Sequence, residues 1–172
     1  MQAAKDSFYM ALRDRLAALN PARTLVRDGV TVPAIAVREN LEPRFTEVQA
    51  GVFYVEFGEL LVAESSRPML GMDCRIWYAS EGTAGGSGVD RGRVLAEMDQ
   101  ELIRICNPPH TEMLDYTQIP AEDLGAGVFW TLPELGDAPD TKAGKQQRGA
   151  SAGRIARQAQ LRIYFFLPEA GA

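Results

Sequence analysis

The chain has 172 residues, 46% of them hydrophobic and 24% charged, with a formal net charge of −5 at pH 7. That length fits one domain with room for a sizeable core, and the composition is ordinary for a globular chain. The acidic balance argues against a general nucleic-acid binder, which carries a basic excess.

The N-terminal stretch "MQAAKDSFYMALRDRL" has charges every few residues and so no h-region, which excludes a signal peptide. No other segment reaches the ~18 uncharged apolar residues of a membrane span, so an aqueous compartment is expected. Cys74 and Cys106 are the only cysteines, each inside an apolar segment. They read as two buried thiols of a reduced cytosolic protein.

"DSFYMALRDRLAALNP" predicts an opening helix, because Phe8, Leu12, Leu16 and Leu19 recur on one face at helical period. Asp6 or Ser7 is expected to cap it, and Pro21 ends it by pushing residue 20 out of the α region. Its other side carries Asp6, Arg13 and Asn20, as suits a helix lying on a sheet. "RDGV" predicts a hairpin turn, since Asp-Gly supplies positive φ. Val32, Ile35 and Val37 follow as a short apolar strand, which Pro33 must start or place at an edge because it has no N–H to donate.

Val52 to Val62 is a second β-prone run. "MLGMDCRIWYAS" alternates, with Met72, Cys74, Ile76 and Tyr78 facing one way and Asp73, Arg75 and Trp77 the other. After a glycine-rich loop, Val94, Met98, Leu102 and Ile105 line a second helix that closes at Asn107, ahead of Pro108 and Pro109. "AGVFWTLPEL" predicts a short strand. In "RQAQLRIYFFLPEAGA", Ala159, Leu161, Ile163, Phe165 and Leu167 alternate with polar or aromatic residues, a strand stopped by Pro168.

Between Asp137 and Arg157 almost no large apolar residue occurs, so the segment cannot offset its ordering entropy and reads as a mobile loop. It is also basic. Lys142, Lys145, Arg148, Arg154 and Arg157 face only Asp137 and Asp140, a net +3 that leaves −8 on the remainder.

Four groups of residues invite a chemical reading. The 82–92 glycine loop lies between a strand and a helix, where phosphates are often cradled. A P-loop needs a closing Lys-Ser or Lys-Thr, whereas Gly82, Gly85, Gly86 and Gly88 are followed by Val89, Asp90 and Arg91. Gly86, Gly88 and Gly92 are also spaced one residue too wide for the dinucleotide fingerprint. Asp90 as a helix-capping carboxylate accounts for the local chemistry, and the loop reads as a connector.

His110, the only histidine, sits near Cys106 and Glu112. Neither cysteine has a second one nearby to complete a zinc set, and Cys106 ends an apolar helix face where a thiolate is not stabilised. His110 reads as a loop residue. The pairs Glu97 with Glu101 and Glu122 with Asp123 read as solvated surface. No nucleophilic hydrolase signature is present. No catalytic, cofactor-binding or metal-ligating residue is therefore assigned, no cofactor is expected, and the chain reads as non-enzymatic.

The succession of "DSFYMALRDRLAAL", "VPAIAV", "MDCRIWYAS" running through a loop into "DRGRVLAEMDQELIRI", and a final "AQLRIYFFLPEA" resembles the tail terminator (tail completion) proteins of long-tailed bacteriophages and related tail-like particles. The resemblance covers most of the chain and rests on element order and hydrophobic pattern.

It implies an α+β fold: a mostly antiparallel sheet with two main helices packed on it, in a single domain over 1–172 with a mobile loop at 137–157. It implies a homo-oligomeric ring, typically of six subunits, on the last ring of the tail tube at the tail–neck junction of a virion. The ring stops tube growth and docks the head or neck connector. Partners would be other copies of the chain, the tail tube protein, a sheath protein in a contractile tail, and the head-completion protein. There is no membrane partner, and DNA passes through without specific binding.

The same pattern leaves open a neck or head-completion protein, or the terminator of a contractile injection system; from another class comes a small nucleotide-binding enzyme using the 82–92 loop. The long stretch between Glu39 and Arg67 and the extended basic loop depart from a minimal member. Head-to-tail rings need two complementary surfaces per subunit. Lys142, Lys145, Arg148, Arg154 and Arg157 are the candidate subunit-interface residues, set against the acidic body of a neighbour.

Overall fold

A computed structural model describes residues 1–38, 48–62, 69–81, 88–138 and 154–166. The elements in chain order are α1 (Gln2–Leu19), β1 (Thr24–Arg27), β2 (Val30–Pro33), β3 (Ile35–Arg38), β4 (Phe53–Val62), β5 (Met69–Ser80), α2 (Gly88–Ile105), β6 (His110–Asp115), β7 (Glu122–Trp130), β8 (Glu134–Asp137) and β9 (Ile155–Phe166). The fold is α+β, with a main sheet ordered β3-β4-β5-β9-β7-β6 and β8 paired to β9. Among the described residues, only the β3–β4 pair is parallel; the other ladders are antiparallel.

The two longest strands form the centre. β5 and β9 pair without a break from Met69 opposite Phe166 to Ser80 opposite Ile155. Their register places Met72 against Ile163, Cys74 against Leu161 and Ile76 against Ala159, all buried. Period-two alternation puts these residues on one face. The helices cover that face with Ala4, Phe8, Leu12 and Leu16 from α1 and Leu95, Met98, Leu102 and Ile105 from α2. Phe8 meets Trp130 edge-on at 5.0 Å, which ties α1 to β7. Both cysteines are buried and unpaired.

Several elements differ from their sequence reading. α1 starts at Gln2, four residues before the expected caps, and Ser7 is buried in its interior. There the Ser7 hydroxyl accepts the Leu114 N–H at 2.9 Å, occupying a donor on the edge strand β6. Leu19 is 38% exposed, because the helix face turned to the core runs through Ala4 instead. Pro33 ends β2, where it pairs with Thr24 in a separate two-stranded sheet, and a new strand begins at Ile35. The Asp-Gly turn has Asp28 at φ 52° and Gly29 at φ 77°, as a hairpin of this twist requires.

Trp77 points away from the helices in register with Tyr54 and Gln158, yet it is only 7% exposed; its indole N–H donates to Glu56 at 2.9 Å. In α2, Leu95 rather than Val94 is fully buried, and the helix closes at Ile105 rather than Asn107. The stretch from His110, read as loop, is strand β6. "AGVFWTLPEL" is two strands, β7 and β8, which lie end to end along β9. Thr131 bridges the break: its N–H donates to Arg162 O, and its hydroxyl accepts the Arg162 N–H, both at 3.0 Å.

Candidate functional site

Of the five basic interface candidates, Lys142, Lys145 and Arg148 lie outside the described residues, as does 139–153 as a whole. The ends of the predicted 137–157 loop are strand: Asp137 closes β8, and Ile155 to Arg157 open β9. Arg157 and Arg154 both make contacts within the chain. Arg157 donates to Asp99 Oδ2 on α2 at 2.8 Å, while the Tyr78 hydroxyl donates to Asp99 Oδ1 at 2.5 Å. Burial, then the Asp99 hydrogen bond, push the Tyr78 phenol well above its ordinary value. Arg154 forms an ion pair with Glu81 at the end of β5, and its second nitrogen donates to Val48 O at 2.7 Å. The Ser80 hydroxyl donates to Arg91 O at 2.7 Å. This end of the sheet thus holds a polar network joining β5, β9 and α2.

Of the paired carboxylates, Glu101 is not a wet surface group. It accepts the Asn20 amide at 2.6 Å and an Arg23 guanidinium nitrogen at 3.2 Å, with both Glu101 and Arg23 side chains 14% exposed. Glu101 therefore ties α2 to the chain that leaves α1. Glu97, Glu122 and Asp123 are exposed, as expected. The glycines at 82, 85 and 86 lie outside the described residues. α2 begins at Gly88, so Asp90 sits inside its first turn, 3.6 Å from Arg93, and not at the capping position.

The opposite end of the sheet is the β6–β7 hairpin. Its root is held by Arg15 of α1, which donates to the carbonyls of Ile105, Pro108 and His110 at 3.0, 2.7 and 2.8 Å. The same guanidinium lies 5.3 Å from the Trp130 ring, whose N–H donates to Cys106 O at 2.8 Å. Burial pushes the Cys106 thiol up to about 12, which keeps it protonated at neutral pH.

His110 instead opens β6 opposite Phe129, and the two rings stack at 6.4 Å between centroids. Since Phe129 pairs with Tyr164, alternate to the buried Phe165, it lies on the face turned away from the helices.

On that face, His110, Glu112, Asp123, Gly125, Gly127 and Phe129 line a shallow groove of about 370 Å³. Its walls are mostly apolar. The Phe129 ring lies close over the bare backbone of Gly127, where a Cβ would stand 2.9 Å from it. Asp123 accepts the Gly125 N–H at 2.9 Å, which fixes the glycine at φ 66°. Beyond the groove the hairpin tip exposes Tyr116 and Ile119, the latter 99% accessible. Asp115 accepts both the N–H and the hydroxyl of Thr117, at 2.9 and 2.7 Å, and these bonds hold its carboxyl below the usual range. Burial, then Asp14 and Asp6 on α1, raise the Tyr116 phenol.

The groove was missed from sequence because β6 was. The signal was present in "HTEMLD", where Met113 turns inward between the exposed Glu112 and the half-buried Leu114, but the two prolines before it masked the strand.

No family model matches the chain, and no curated protein matches it. A similar solved structure is a chain of "Virion of native gene transfer agent (GTA) particle", at 15% identity and a TM-score of 0.38, over 94% of this chain and 93% of that one. A likeness at that level assigns neither fold nor role.

Proposed function

We propose that the chain is a structural, non-enzymatic subunit of a phage tail or tail-like particle that closes as a ring on the end of the tail tube. The ring, of six subunits by the family pattern, ends tube growth and offers a surface to the head or neck connector. The observation that carries this reading is the placement of the closing strand. β9 enters the sheet centre between β5 and β7, and β5 leads through the glycine stretch into α2, which packs on both central strands. This is the element order on which the tail-terminator resemblance rests, now seen as one α+β sheet. Chemistry supports it too: the polar network uses its charged groups in ion pairs between elements, while Phe129, Tyr116 and Ile119 of the β6–β7 hairpin are exposed.

The test is to add purified protein to growing tail tubes and to finished ones. Capped ends and shortened tubes under the electron microscope are the expected result. Tubes that lengthen normally with bare ends would overturn the reading, and a parallel nucleotide titration would then test the glycine-loop alternative.

A further inference from the structure

The geometry points to the β6–β7 groove as the subunit contact of that ring, receiving the basic 142–148 segment of a second copy of this chain. The inference rests on the ring reading and supplies the two complementary surfaces it requires.

Three observations bear on it. The first is the chemistry of the groove. An apolar floor of Phe129 and glycine backbone lies between two exposed carboxylates, Glu112 and Asp123. That suits a lysine or arginine, whose aliphatic stem packs on apolar surface while its charged head meets a carboxylate.

The second is charge allocation. Among the described residues, Glu56, Asp73, Glu81, Asp90, Asp99 and Glu101 are in ion pairs within the chain, whereas Glu112 and Asp123 belong to the carboxylates outside those pairs and are the two that line this groove. In the basic segment, Arg154 and Arg157 are engaged internally, so its candidates for another subunit are Lys142, Lys145 and Arg148.

The third is position. Asp137 pairs with Arg157, so both anchors of the segment sit at one end of β9; the groove is at the other, where Phe129 pairs with Tyr164. Seven residues of strand separate Arg157 from Tyr164, roughly 23 Å at ~3.3 Å per residue. Reaching its own groove would demand nearly full extension of the segment from either anchor. A neighbour placed head to tail brings its groove alongside.

The experiment is a charge reversal with reciprocal rescue in the full chain. Glu112→Lys with Asp123→Asn keeps the acceptor for Gly125. It should raise the concentration needed for rings, by light scattering and microscopy, by roughly tenfold or more, the scale of one close interfacial charge pair. Lys142→Glu, Lys145→Glu and Arg148→Glu should do the same. Combining all five changes in one chain should restore assembly to within about threefold of the wild type, and so should equimolar mixing of the two variants, because a ring of alternating subunits sets each basic surface against an acidic one. Circular dichroism and the urea midpoint show that each variant is folded.

An unchanged assembly concentration in the groove variant, or no rescue in the combined chain, would overturn the inference and leave the ring standing. A wild-type chain that neither forms rings nor caps tubes would overturn the ring reading, and the inference with it.

Discussion

Arg157 and Asp99 stand 58 positions apart in the chain and 2.8 Å apart in the fold, joining the first residues of the closing strand to the middle of α2. Asp99 spends its second oxygen on the buried Tyr78, so one carboxylate links β5, α2 and β9. Partnered charges of this kind cost more to break than to build, since removing one leaves the others desolvated.

Asp99→Ala is therefore expected to lower the unfolding free energy by about 2–3 kcal/mol, and Tyr78→Phe by about 1 kcal/mol. Urea denaturation of both variants checks this. An Asp99→Ala loss below the Tyr78→Phe value would show that the carboxylate does not organise the cluster.

Stability should fall in alkali. Burial raises the Cys74 and Cys106 thiols, and burial with the Asp99 hydrogen bond raises the Tyr78 phenol. Each group holds its proton more tightly when folded than unfolded. Its contribution is complete below the unfolded value and lost as pH rises from there through the folded value. The free energy of unfolding should stay level up to about pH 8.5, then decline by about 1.4 kcal/mol per pH unit for each group ionised in the unfolded chain. Midpoints measured from pH 7 to 10.5 test the sign. Cys74→Ala with Cys106→Ala should delay the onset to the phenol range, and an unchanged onset would remove the thiols from the explanation.

Arg15→Lys should behave like a loss of the side chain. Three carbonyls, of Ile105, Pro108 and His110, share one planar guanidinium that also lies against Trp130. A compact ammonium cannot reproduce that fork. Both Arg15→Lys and Arg15→Ala are expected to cost about 2–3 kcal/mol, with faster amide exchange at the root of β6. Full rescue by lysine would mean that charge alone holds the root.

Gly127→Ala should separate binding from stability. The added methyl meets the ring of Phe129, a side chain 47% exposed and free to swing outward, so the cost to folding should be within about 1 kcal/mol. The displaced ring fills the groove, and ring assembly should weaken several-fold. Unaltered assembly in a folded Gly127→Ala chain would show that the groove floor is not a contact surface.

Much of the fold could be read in one dimension. Where one face of an element is apolar, periodicity reports it, which is why α1, β5, α2 and β9 were legible along with the Asp-Gly turn. The two buried thiols followed from their apolar surroundings. The α+β class was what the family resemblance implied. Position within the tertiary structure decided the rest. Ser7 has the chemistry of a helix cap, but α1 lies beside β6, and there its hydroxyl serves a strand edge.

Glu101 looks like surface until the chain leaving α1 brings Arg23 and Asn20 to it. Trp77 follows the alternation and is still covered, because register sets Glu56 beside it. The groove on the β6–β7 hairpin joins two alternating series, His110 and Glu112 with Asp123 to Phe129, which only the pairing of β6 with β7 sets side by side. Local sequence fixes which residues prefer burial and which backbone shapes are accessible; only long-range strand pairing decides which side chains meet.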